Sequence, residues 1–160
     1  MFAPAEAPAD WPEAAPTRVE RTLHVAAPPA ALFAVLADHG RWPEWFAGMR
    51  KVRVEGPAAG VGALRSVWVG ASHVRERFDL WEPSRRLRFT VVACNVPGLA
   101  AMVEDWQLAE EDEGCRLRIA IGAAGAGPLR LAPGLVRQVV ARSTKGAAGI
   151  VGRFPATGGG

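Results

Sequence analysis

Two glutamates interrupt faces that are otherwise apolar. In the segment His73–Trp81, Val74, Glu76, Phe78 and Leu80 alternate with Arg75, Arg77 and Asp79. In Ala101–Ala109, Met102, Glu104, Trp106 and Leu108 alternate with Val103, Asp105 and Gln107. Successive side chains of a strand point to opposite faces, so an inward apolar-rich face carries Glu76 and Glu104 into the interior. The strand between them offers Leu87, Phe89 and Val91, and two strand spacings set the carboxyls roughly 10 Å apart laterally. A carboxyl in apolar surroundings has a raised pKa and can work as general acid or base near neutral pH. Such chemistry would suit enolisation, aldol cyclisation or dehydration of a polyketone. The competing readings are plainer: either glutamate pairs with an arginine such as Arg65 or Arg88, orients a ligand, meets water at a cavity mouth, or sits on the outer face of a bulged strand.

A third strand leaves its facing open. Leu64, Ser66 and Trp68 share one side, and Arg65, Val67 and Val69 the other. The first set is the preferred inward one, because Arg65 then reaches solvent; the opposite choice puts Arg65 inside, where it could hold a ligand carboxylate or phenolate. Trp42, Trp45 and Phe46 are expected to form a lid that either lines the cavity or caps the core from outside.

Other chemistry is poorly supported. Cys94 and Cys115 form no CxxC, and His24, His39 and His73 lie far from both, so zinc-ligand spacing is missing and no metal or cofactor is expected. The cysteines read as small buried hydrophobes. Gly122, Gly125 and Gly127 give GxxGxG rather than a dinucleotide loop, with no later strand to complete a βαβ unit, and read as a flexible connector. There is no GxSxG, and Ser72-His73 has no identifiable orienting partner.

The elements that must position these residues follow from periodicity. Arg18–Ala26 is a strand with Val19, Leu23 and Val25 on one face, and Arg21 on that face suggests an edge. Pro28-Pro29 opens a short helix with Leu32, Phe33 and Leu36 inward; Gly40 ends it, and a second short helix begins at Pro43 and stops at Gly48. Six strands follow at Met49–Glu55, Gly62–Val69, His73–Trp81, Arg86–Cys94, Ala101–Ala109 and Cys115–Ile121, with turn residues between. Short links imply sequential antiparallel pairing. From about Pro133 to Phe154 a helix places Leu135, Val136, Val139, Val140, Ala147, Ile150 and Val151 on one face and Arg137, Arg142 and Lys145 on the other. An α+β fold results: a seven-stranded antiparallel sheet curls around one long helix, two short helices close one end, and unfilled space is left beneath.

The 160 residues suit one domain, and 49% apolar with 22% charged residues is an ordinary globular balance. Six Trp and six Phe without any Tyr suit either ordinary core packing or a wall around an organic ligand. Residues 1–17 are Ala, Pro and acidic residues, expected to be a disordered tail, with Trp11 in solvent in preference to tucked onto the domain. Residues 155–160 are expected to be flexible. A net charge of +3 without a basic, aromatic-interleaved stripe argues against nucleic acid. With no signal-peptide pattern and no long apolar run, the cytoplasm is the expected location. Transient membrane contact through Arg137, Arg142 and Lys145 is open, and oligomeric state is unread.

The order of elements, with certain phrases, resembles the START-like SRPBCC superfamily, and within it the polyketide cyclase/dehydrase-like branch. The matching pieces are VAAPPAALFAVLADHGRWPEWFAGMRKVRV (Val25–Val54), GVGALRSVWV (Gly60–Val69), VRERFDLWEPSRRLRFTV (Val74–Val91), EEDEGCRLRIAI (Glu110–Ile121) and the closing helix. Together they span about 18–154. The resemblance implies a helix-grip fold and binding of lipids, polyketides or similar hydrophobic molecules, by enzymes in some members and carriers in others. Phe78, Phe89, Trp106, Val136 and Val140 complete the expected lining. Three functions stand open: a carrier or sensor of a hydrophobic molecule, an aromatic polyketide cyclase or dehydratase using Glu76 or Glu104, and a membrane-delivered lipid or quinone chaperone.

Overall fold

The computed structural model describes residues 1–5, 11, 13–127 and 133–154, without the side chains of Pro133, Leu135 and Val139. The expected loose end at 155–160 and the facing of Leu135 and Val139 lie outside the described residues. Strands β1 (Thr17–Val25), β2 (Met49–Glu55), β3 (Leu64–Val69), β4 (Ser72–Glu82), β5 (Arg86–Cys94), β6 (Leu99–Glu111) and β7 (Gly114–Gly125) form one seven-stranded antiparallel sheet. Its order is β1-β7-β6-β5-β4-β3-β2, so β1 and β2 are the two edges. Helix α1 (Pro29–Ala37) and a 3₁₀ helix (His39–Glu44) follow β1, while α2 (Pro133–Ala147) and α3 (Ile150–Arg153) follow β7. This is the α+β helix-grip arrangement.

Pro29 at the start of α1 loses nothing by lacking an N–H, and Leu32, Phe33 and Leu36 are buried on one side. The indole N–H of Trp42 donates to the Leu36 carbonyl at 2.9 Å, which ties the 3₁₀ helix to the end of α1. Helix α2 packs on β1 and β7, burying Val136 and Val140, and so covers one side of the concave face. Arg21 lies on the inward side of β1, an edge where its charged end can reach water.

Five local departures have physical causes. The second short helix is a 3₁₀ turn with Pro43 inside it, not a helix that starts at Pro43. Gly122–Gly125, expected as a connector, extends β7 and pairs with β6 and β1. Register shifts between Phe78 and Leu80 in β4, so Trp81 pairs with Leu87 and packs on Phe33 and Phe78, where strict alternation puts Leu80. The final helix breaks at Ala148-Gly149. Trp11 is buried against Ala101 and Val103, because the outer face of β6 there is apolar and would otherwise meet water. Phe2 also forms a backbone bridge to Cys94, so the leading segment is tied down at these points.

Candidate functional site

Because α2 lies over β1 and β7, the concave surface of β3–β6 is left partly uncovered. A cavity of about 540 Å³ occupies that space. Its inner wall is buried and mostly apolar, formed by Trp42, Val67, Phe89, Val91 and Met102, with Glu76 and Glu104 among them. Its exposed rim comes from Ala47-Gly48, the β3–β4 turn at Gly70-Ala71, and Arg142 and Lys145 of α2. A volume of this size suits a small organic molecule.

The preferred facing of β3 is reversed. Ser66 and Trp68 point to the outer face, where the Ser66 hydroxyl donates to Glu55 at 2.9 Å and Trp68 stacks on His73 at 4.1 Å. Leu64 shares that face and is half-buried. Arg65 turns inward and is fully buried. Its Nε donates to Glu76 Oε2 at 2.7 Å, and its guanidinium lies 3.7 Å from the Trp42 ring, 4.8 Å from Phe89 and 5.1 Å from Phe78. Three aromatic faces and one carboxylate thus compensate a charge removed from water. The two-residue turn at Gly70-Ala71 places Val69 opposite Ser72 and therefore Arg65 opposite Glu76. That complementary cross-strand pair was the signal for the inward arginine, and it outweighs the preference for a solvated one.

The two carboxyls differ in their surroundings. Burial pushes the Glu76 carboxyl up, against the opposing pull of Arg65. Burial, reinforced by the charge on Glu76, pushes Glu104 up to about 8, while the Trp106 N–H and Arg65 act the other way. The Trp106 indole donates to Glu104 Oε2 at 3.1 Å. At neutral pH the inner wall therefore presents a protonated Glu104 beside the Arg65–Glu76 pair. Such a carboxyl can donate a hydrogen bond, or a proton, to a ligand oxygen and accept it back.

Of the residues singled out in the sequence, Trp42, Phe46, Glu76, Phe89 and Glu104 line the cavity. Trp45, Phe78 and Trp106 form a buried aromatic layer behind it, with Trp45 4.7 Å and Trp106 5.2 Å from Trp42. Val136 and Val140 belong to the packed core under α2 and do not line the cavity, and neither do Leu64, Ser66 and Trp68. Val96 of the β5–β6 loop, Leu99 at the start of β6 and the α2 cations were not anticipated as lining. Loop placement depends on how the hairpins curl, which periodicity does not encode. Cys94 and Cys115 are buried, and burial pushes both thiols up.

Residues 16–153 match the family described as polyketide cyclase / dehydrase and lipid transport. The chain belongs to this family, a branch of the SRPBCC superfamily. An uncharacterised protein of Mycobacterium tuberculosis is 35% identical over 120 residues, covering 74% of this chain and 72% of that one. A START superfamily protein from Mycobacterium smegmatis superposes with a TM-score of 0.67 at 11% identity, covering 85% of this chain and 97% of the other. The Zhui aromatase/cyclase from a Streptomyces species gives a TM-score of 0.68 at 22% identity, covering 89% and 98%. At such identities the two structures speak to the helix-grip fold alone. No helix among the described residues is long and apolar enough to cross a membrane.

Proposed function

We propose that this family member binds a small hydrophobic molecule in its internal cavity and acts as a carrier or sensor, with residues 18–154 as the binding unit. The supporting observation is the roughly 540 Å³ space with Trp42, Phe89, Val91 and Met102 on its wall. Burial of an apolar guest against such a wall is favoured by release of surface water, and the few polar groups fix its orientation. The reading places the protein in the cytoplasm with no nucleic-acid partner. Its test is native mass spectrometry of protein purified from its own host, with the bound molecule identified. A co-purifying lipid, quinone or fatty acid is the expected result. Val69→Trp and Val74→Trp, at half-buried lining positions, should abolish retention while leaving the melting temperature close to that of the parent. Retention unchanged in both would overturn the proposal.

One observation favours a second reading, an aromatic polyketide cyclase or dehydratase. Glu104 lies on the cavity wall, where burial pushes its carboxyl up to about 8, and its neighbour Glu76 is held in place by Arg65. Glu104 could then act as general acid toward a ligand carbonyl or leaving hydroxyl, with Glu76 a positioning group. A planar polyphenol co-purifying with the protein would support it. Turnover of a polyketone unchanged in Glu104→Gln would remove it.

A further inference from the structure

The polar groups of the cavity are sorted by depth. Among the described residues its only carboxyls, Glu76 and Glu104, lie on the inner wall, whereas Arg142 and Lys145 stand at the rim. Ser72 and Ser143 add hydroxyl groups near the same opening. Arg142 and Lys145 are three positions apart on α2 and thus on one side of it. Arg142 and Lys145 are exposed, and among the described residues neither has a carboxylate partner. Most other arginines do: Arg18, Arg41, Arg75, Arg86, Arg118 and Arg153, for example, each meet an acidic side chain. Lys145 in the last turn of α2 offsets the partial negative charge of the helix end. That role does not require Arg142, one turn earlier on the same side of the opening.

We infer that the cavity takes an anionic amphiphile whose carboxylate or phosphate head sits at the rim between Arg142 and Lys145 while its apolar body fills the space beneath. The inference rests on the carrier reading and adds the chemical class and direction of the guest. A head group at the rim stays partly hydrated, so ion pairing there avoids the desolvation cost that an anion would meet deeper in. The reverse orientation is disfavoured, because the inner wall offers an anion the carboxyls of Glu76 and Glu104 and no lining cation among the described residues. A neutral oxygen function at the inner end of the guest would instead find a donor in Glu104.

The test uses dodecanoate, dodecanol and dodecyltrimethylammonium as probes, with affinities measured by calorimetry for the parent protein and for Arg142→Glu/Lys145→Glu. Both substituted side chains are exposed, so the fold should persist despite a small loss at the end of α2 where Lys145 is reversed. Dodecanoate should bind the parent tightest. Charge reversal should weaken dodecanoate by about tenfold or more, leave dodecanol unchanged and improve the cationic probe. Dodecanol binding with no advantage for dodecanoate, and no effect of reversal, would overturn the head-group assignment while leaving the carrier reading intact. No binding of any probe would count against both. A lipid surface is distinguished by co-sedimentation with phosphatidylglycerol vesicles. Loss of vesicle binding in the double variant, with dodecanoate affinity unchanged, would assign the two cations to a membrane and end the inference.

Discussion

Arg65 sits among Trp42, Phe78 and Phe89 with Glu76 as its carboxylate partner, and its Nη1 has no partner among the described residues. A buried ion pair of this kind is a weak source of stability, but breaking it from one side strands a charge. Arg65→Leu or Glu76→Leu alone should therefore destabilise by about 3–5 kcal/mol, whereas the double substitution should come much closer to the parent in denaturant melts. A double variant as unstable as the singles would mean that the pair itself, and not the stranded partner, holds the wall together. Glu104 and His39 give opposite pH dependences. The folded protein keeps a proton on Glu104 up to about pH 8 that an unfolded chain releases near pH 4.5. Its contribution to stability consequently falls as pH rises through that window, by at most about 1.4 kcal/mol per pH unit. Glu104→Gln should flatten this decline in melting temperatures recorded from pH 5 to 9. His39 is buried and stacked on Phe78 at 4.5 Å, and burial, helped by the charge of Arg65, lowers its pKa to about 3. The unfolded chain takes up that proton below about pH 6.5 and the folded one does not, so stability falls with acidification. His39→Phe should remove this acid limb while preserving the ring contacts.

At the scale of elements, the join between α2 and α3 is the tightest place on the helical side. A Cβ on Gly149 would lie 1.8 Å from the Trp45 carbonyl oxygen, and one on Gly146 would lie 2.3 Å from the Phe46 ring. Gly149→Ala must displace backbone, whereas Gly146→Ala meets chiefly the buried Phe46 ring and, less closely, the Ala47 carbonyl oxygen at 2.9 Å. Gly149→Ala should lower stability by roughly 1–3 kcal/mol in urea titrations, with a smaller loss for Gly146→Ala and a change in ligand affinity as well. The strand pattern was largely legible, because alternating apolar residues and turn residues both report the same period. It failed where the chain breaks that period. The extra residue near Asp79 swaps Trp81 for Leu80 on the inner face, and nothing in a run of apolar and charged residues marks a bulge. Gly122–Gly125 looked like a linker because glycine and alanine carry no strand preference. In the sheet its small size lets Ala123 be wholly buried on the same face as Ile119 and Ile121. The carboxyls of the site were visible as interruptions in apolar faces, but the rim depended on how hairpins and α2 meet in space.

Over the whole molecule, the cavity follows from an asymmetry. One helix cannot cover seven strands, and α2 lies toward the β1–β7 side. At the other side of the sheet, the described residues of the leading segment bond to the ends of β5 and β6 and cover part of the outer face. The Phe2 N–H donates to the Cys94 carbonyl and the Cys94 N–H to that of Phe2, both at 2.9 Å, while the Ala5 N–H donates to Ala100 at 2.8 Å. Farther on, Trp11 covers Ala101 and Val103. Deleting residues 1–15 should cost on the order of 2 kcal/mol from the lost burial of Trp11 and should accelerate hydrogen exchange at Val96, Gly98 and Leu99. Unaltered exchange there would mean that the loop is held by the sheet alone.

Those backbone ties bracket the stretch Asn95–Gly98, and Val96 within it and Leu99 just beyond it belong to the cavity wall. The amino end therefore braces one side of the cavity wall, and shortening it should loosen Val96 and Leu99 there.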